Sequence, residues 1–190
     1  MNEKNNIRKL TLMGFGVALN IVGAFIALQL KLPIYLDSIG TILIACILGP
    51  KYAVLTGLSG SLISGITFDI YSLYFAPVQI STGFLAGIMY KKNWLKGKRI
   101  FIGVLCFALP TSFISAIIAA VLFGGITSSG SSYVVQILIK LGCGEVPSIF
   151  MTQILTDYMD KLIAVILVGG SIKVLPKQIK YSILDLGKNK

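Results

Sequence analysis

The sequence predicts an all-α integral membrane protein, a single bundle of six transmembrane helices over residues 1–190. Hydrophobic residues make up 55% of the chain and charged residues only 13%, about half the charge of an ordinary soluble domain. The apolar residues fall in long runs, and short basic segments stand between them. No stretch reads as a separate soluble domain.

A bilayer core of about 30 Å needs about 20 helical residues. Apolar runs place helix 1 near Leu10–Leu30, helix 2 near Leu36–Leu48 and helix 3 near Tyr52–Phe68. Helix 4 is expected near Leu73–Tyr90, helix 5 near Ile100–Phe123 and helix 6 near Ile154–Leu175. Gly49-Pro50 parts helices 2 and 3, because Pro50 can open a helix but not continue one; a re-entrant hairpin is the alternative for so short a pair. Tyr133–Leu141 is apolar but too short to span, and reads as a loop helix at the outer surface. Met13–Leu30 follows Arg8 and Lys9 like a signal peptide, but further apolar segments follow it, and it reads as a retained helix.

Six spans put both termini on one side, and the lysines choose that side. Lys4, Arg8, Lys9, Lys51, Lys91, Lys92, Lys96, Lys98, Arg99, Lys173, Lys177, Lys180, Lys188 and Lys190 all fall on one face. The opposite loops hold Lys31 and Lys140. Positive residues collect in the cytoplasm, so both termini are expected there. This collar accounts for the formal charge of +10 without a nucleic-acid partner.

The acids go the other way. Asp37, Asp69, Glu145, Asp157 and Asp160 fall at the outer side, accompanied by Tyr35, Phe68, Tyr71, Tyr74, Phe75, Tyr133 and Tyr158. An interfacial aromatic belt and a polar, aromatic pocket for a small heterocyclic solute are both consistent with this pattern. Lys161 is expected about one turn into helix 6, with Asp157 at i−4 as an ion-pair partner. A charge inside a span is expensive and faces a cavity or a partner, so Lys161 is a structural ion pair or a substrate contact. Gln79 and Asn20 each need a hydrogen-bond partner at their depth. The acids, set against Lys31, Lys140 and Lys161, suit a neutral or cationic solute better than an anionic one.

Small residues four apart occur twice in helix 1, as Gly14/Ala18 and Gly23/Ala27. That spacing lets another helix approach closely. The chain has no histidine, and its three cysteines, Cys46, Cys106 and Cys143, are far apart; neither a metal nor a cofactor is expected. No nucleotide-binding P-loop and no hydrolase or zinc-protease signature occurs, so uphill transport would draw its energy from a partner or an ion gradient.

A series of short motifs, in order, resembles the S components, the substrate-binding membrane subunits of energy-coupling factor (ECF) transporters. Gly14-Phe15-Gly16-Val17-Ala18 is similar to the family's alanine-x-x-x-alanine motif. Leu36-Asp37-Ser38-Ile39-Gly40-Thr41 and Ile47-Leu48-Gly49-Pro50 bracket helix 2 as in that family. Ala86-Gly87-Ile88-Met89-Tyr90, followed by Lys91, Lys92 and Asn93, looks like the helix 4 exit of the riboflavin-type members, the nearest in motifs. Asp160-Lys161 stands where family members place a polar residue and a substrate-touching lysine, whereas Tyr158 replaces an asparagine of the riboflavin-type members.

The resemblance implies a subunit that captures a vitamin or similar micronutrient at the outer face of the bacterial plasma membrane. It implies a transmembrane coupling subunit and two ATPases as partners, with Gly14 and Ala18 meeting the coupling subunit. It also implies that the loaded subunit topples in the bilayer to release solute inside. Lys161, Asp160, Asp157, Asp37, Gln79, Tyr35, Tyr74 and Tyr133 are the candidate solute contacts, and no catalysis is expected. The alternative is a stand-alone secondary transporter with Lys161 and Asp157 or Asp160 as a proton relay; the lack of an internal repeat counts against it.

Overall fold

The computed structural model describes residues 3–176, Gln178, Leu186 and Gly187. The described residues form eight α-helices and one 3-10 turn: α1 (Glu3–Gln29), α2 (Ile39–Ile47), α3 (Pro50–Thr67), α4 (Tyr71–Tyr74), α5 (Ala76–Lys91), α6 (Ile100–Phe123), α7 (Ser131–Lys140) and α8 (Glu145–Val174). The expected loop helix is α7.

Three elements differ from the sequence expectation. Helix 2 begins at Ile39, so Leu36–Ser38 belong to the preceding loop, and its nine residues reach only about 13 Å. Helix 4 is broken at Phe75: α4 ends at Tyr74, and α5 restarts with Pro77 in its first turn, where a missing N–H costs nothing. Helix 6 starts nine residues earlier than expected, at Glu145. Lys161 therefore lies more than four turns into α8, not one. The sequence hides this start because polar residues interrupt the first turns of α8, of which Ser148, Thr152 and Gln153 are buried.

Only α1 and the Gly97–Phe123 helix are, among the described residues, long and apolar enough to span by that criterion alone. The helices α2, α4, α5 and α7 are shorter, α3 is diluted by glycine and serine, and α8 carries buried charges. The pattern of exposure is inverted relative to a soluble protein. Phe15, Val22, Ile66, Phe101, Ile102, Phe113, Val121, Leu155 and Leu167 are exposed, while Asn20, Gln79, Gln153, Asp157, Asp160 and Lys161 are buried. An apolar exterior of this extent needs a partner or lipid around it.

Without a hydrophobic drive between helices in lipid, close backbone approach and hydrogen bonds hold the bundle. The α3–α5 pair shows the first. A Cβ at Gly57 would sit 3.0 Å from the Gln79 carbonyl oxygen, and one at Gly83 would sit 2.8 Å from the Ala53 carbonyl carbon. Asn20 supplies the second. Its Oδ1 accepts from the Gly40 and Thr41 amides at 2.7 and 3.2 Å, and its Nδ2 donates to Thr41 Oγ1 at 2.7 Å. The side chain caps two of the N–H groups that the start of α2 leaves unpaired. Asn20 is thus a helix–helix residue.

The apolar core gathers at one half of the bundle around Ile42, Ile44, Val104, Phe107 and Ala164, with Leu186 joining it. The basic residues surround this end. Lys9 lies over the Tyr52 ring at 5.3 Å and Lys96 over Tyr90 at 4.8 Å. Lys177, Lys180, Lys188 and Lys190 lie outside the described residues. The other half is polar inside, and holds the cleft.

Candidate solute-binding cleft

The loop of residues 30–38 is the first wall of the cleft. Leu36 has a φ of 51°, a left-handed conformation that a bulky side chain adopts only when held. Asp160 holds it. Its Oδ1 accepts from the Leu36 amide at 2.6 Å and its Oδ2 from Ser38 Oγ at 2.9 Å. On the far side the Leu36 carbonyl rests on Gly23, where a Cβ would collide with it. This contact consumes the Gly23 part of the second small-residue pair in α1, inside the chain. Asp160 is fully buried and does not line the cleft; its oxygens are engaged in shaping the loop that does.

Tyr35 and Asp37 project from this loop into the cleft, facing Asp69, Tyr71, Ser72, Phe75, Val78 and Gln79 from α3 to α5. Ser115 comes from α6, Thr127 and Ser128 from the loop before α7, and Asp157 and Lys161 from α8. Lys161 Nζ lies 3.5 Å from Asp157 Oδ1, and both residues are at most 3% exposed. Among the described residues Asp157 Oδ2 makes no hydrogen bond of good geometry, although the Ser112 hydroxyl lies close enough to act on the Asp157 carboxyl. Asp37 and Asp160 also act electrostatically on Lys161. One ammonium is thus set among three carboxylates.

The remaining donors of the wall are mostly engaged with the protein. Gln79 Nε2 donates to the Asp37 carbonyl at 3.3 Å, while its Oε1 accepts from Thr41 Oγ1 at 3.2 Å. The Tyr35 hydroxyl donates to Gln153 Oε1 at 3.2 Å and lies 3.2 Å from Ser131 Oγ. Ser115 Oγ donates to the same Gln153 oxygen at 3.2 Å. A chain of polar contacts therefore runs from Asn20 through Thr41 and Gln79 to the cleft, and another from Tyr35 through Gln153 to α6.

The aromatic wall is continuous. Phe75 stacks on Phe123 at 6.2 Å between ring centres, and Tyr71 and Tyr74 meet Phe123 edge-on at 4.8 and 5.3 Å. Tyr35 lies 6.5 Å from Phe75. The cleft measures about 460 Å³ out to its mouth, but only about 40 Å³ admits the centres of water-sized molecules. A second recess on the α1 side shares Tyr35, Asp37, Asp69, Ser72 and Ser128 with it.

Of the eight candidate contacts, Lys161, Asp157, Asp37, Gln79 and Tyr35 come together here. Asp160 stands behind the loop, Tyr74 is half-exposed on Phe123, and Tyr133 is exposed on α7. Asp69, Tyr71 and Phe75 were legible as outer acids and aromatics, but nothing in the sequence singled them out as lining. Ser115 and Gln153 carried no sequence signal. Tyr158 directs its hydroxyl at the Phe101 carbonyl at 3.5 Å, away from the lining, so its mismatch with the riboflavin-type pattern concerns the α6–α8 contact.

No curated protein and no solved structure matches the chain. A family model described as "ECF transporter, substrate-specific component" matches residues 8–184. That match takes in every helix that builds the cleft, and the chain belongs to the ECF transporter substrate-specific component family.

Proposed function

We propose that the chain captures a small water-soluble micronutrient in this cleft, from outside the cell, and delivers it inward with energy from partner ATPases. Membership of the family makes it an integral plasma-membrane transport subunit that works with a coupling subunit and ATPase subunits, and not an enzyme. The carrying observation is a polar, aromatic cleft at the end of the bundle opposite the basic residues. That separation fits six spans with both termini in the cytoplasm and the cleft outward. The likeness to riboflavin-type members rests on Ala86–Tyr90 at the basic end, remote from the cleft, and gives no guide to the solute. A lone proton relay is less well supported, because both Asp160 oxygens are bound to the 30–38 loop.

Space for about 40 Å³ of water-sized centres holds a few waters, whereas small-molecule pockets run to about 300 Å³ or more. Loading therefore requires the 30–38 loop to part from the loop before α7. The two meet where the Gly130 amide donates to the Leu32 carbonyl at 3.2 Å. The test is a Leu32→Cys/Ser129→Cys variant, in a Cys106→Ser/Cys143→Ser background, bridged by a short bis-thiosulfonate linker. Bridging should weaken solute binding on the order of a hundredfold, since apparent affinity scales with the open fraction, and reduction should restore it. Unchanged binding in the bridged protein would place the entry elsewhere.

A further inference from the structure

From the residues lining the cleft we infer that its solute is a small organic cation with a flat aromatic or heteroaromatic ring, its charge on Asp37 and Asp69 and its ring against Tyr35, Tyr71 and Phe75. The inference rests on the capture function and names the class of solute captured.

Charge is the first ground. Asp37, Asp69 and Asp157 line the cleft against a single cation, Lys161. Lys161 is already paired with Asp157, and among the described residues neither Asp37 nor Asp69 has an ion pair. A further carboxylate brought in by a solute would meet repulsion from these acids in a poorly solvated site, where charges interact strongly. A cation would meet Asp69, which has no counter-charge among the described residues, and Asp37, which has only a share of Lys161 alongside Asp157 and Asp160.

Hydrogen bonding is the second ground, and it is independent of the charge count. Gln79, Tyr35 and Ser115 spend their donors on Asp37, Gln153 and each other's neighbours. The cleft is left richer in acceptors. Among the described residues Asp69 receives only the Ser72 hydroxyl, at 3.1 Å, and Asp157 Oδ2 has only the neighbouring Ser112 hydroxyl beside it. A buried acceptor without a donor is costly, so the complementary solute brings N–H or O–H groups. The aromatic faces are the third ground, because a ring quadrupole attracts a cation and stacks a flat ring. Among the described residues, no three acidic or sulfur side chains converge as a metal site does, which favours an organic cation over a metal ion.

The test uses the full chain in nanodiscs and three solutes of one shape: nicotinate, nicotinamide and the ring-methylated nicotinamide cation. Thiamine serves as a larger aromatic cation. Binding is read by calorimetry and by the shift in the thermal midpoint. At least one cation should bind about tenfold or more tighter than nicotinamide, a difference of about 1.4 kcal/mol, and nicotinate should be weakest. Asp37→Asn and Asp69→Asn should each shrink that preference, while the unliganded midpoint stays near the parent value. Preference for nicotinate or nicotinamide, or a preference for cations that both variants leave intact, overturns the assignment of charge and leaves solute capture standing. No binding by any of the four at about 1 mM, a free energy of only about 4 kcal/mol, overturns the inference; if the purified chain also retains no solute of any kind, the capture function falls with it.

Discussion

Replacing Lys161 with methionine should cost the folded protein about 3–5 kcal/mol, the usual penalty for stranding one charge of a buried pair. Lys161 is 3% exposed and its ammonium lies 3.5 Å from Asp157, whose other oxygen has only the Ser112 hydroxyl beside it among the described residues. Removing it leaves a buried carboxylate near Asp37 and Asp160 with nothing to offset it. Sequence alone suggests that Lys161→Ala would weaken solute binding without unfolding the protein. A position four turns into α8 and sealed from solvent changes that expectation to a loss of stability as well. The double variant Asp157→Asn/Lys161→Met removes both charges and should recover most of the loss. Thermal and denaturant unfolding of the three proteins in detergent provides the measurement. A single variant as stable as the parent would mean that Lys161 does not hold a buried charge.

The second large effect concerns coupling. Helix α1 has two faces. Gly16, Asn20, Gly23 and Ala27 are buried inside the bundle. Gly14 and Ala18 are exposed, and a Cβ on Gly14 would meet no atom within 4 Å. This smooth strip lies on the basic half, one helical turn long, and lets a partner helix come close. Gly14→Trp or Ala18→Trp should reduce ATP-driven uptake by the reconstituted complex on the order of tenfold or more, equivalent to about 1.4 kcal/mol of lost contact. Solute affinity of the isolated subunit should stay the same, since the strip touches no wall of the cleft. If affinity falls with uptake, the strip belongs to the protein's own packing.

Charge placement carried the most information in the sequence. The acids pointed to the half of the bundle that holds the cleft, and Lys9 and Lys96 to the other half, where they lie over Tyr52 and Tyr90. Asn20 declared itself as a helix–helix residue, since a lone amide in an apolar run must find a partner. What stayed hidden depends on contacts between distant segments. The early start of α8 was masked by Ser148, Thr152 and Gln153, which look like loop residues until α6 and α7 cover them. Asp160 and Asp157 look equivalent in sequence, yet one turns to the Leu36 amide and the other to Lys161. Tyr74 and Tyr133 have the same composition signal as Tyr35, but the break at Phe75 and the exposed face of α7 turn them away from the lining.

Capture of a solute by this cleft is tested most directly by native mass spectrometry of the chain purified from cells in rich medium. The account predicts one retained small molecule per chain without any ion gradient, released when Asp37→Asn/Asp69→Asn replaces the parent. A chain that retains no solute would contradict it, whereas a retained solute that survives the loss of both carboxylates would overturn only the assignment of its charge to Asp37 and Asp69.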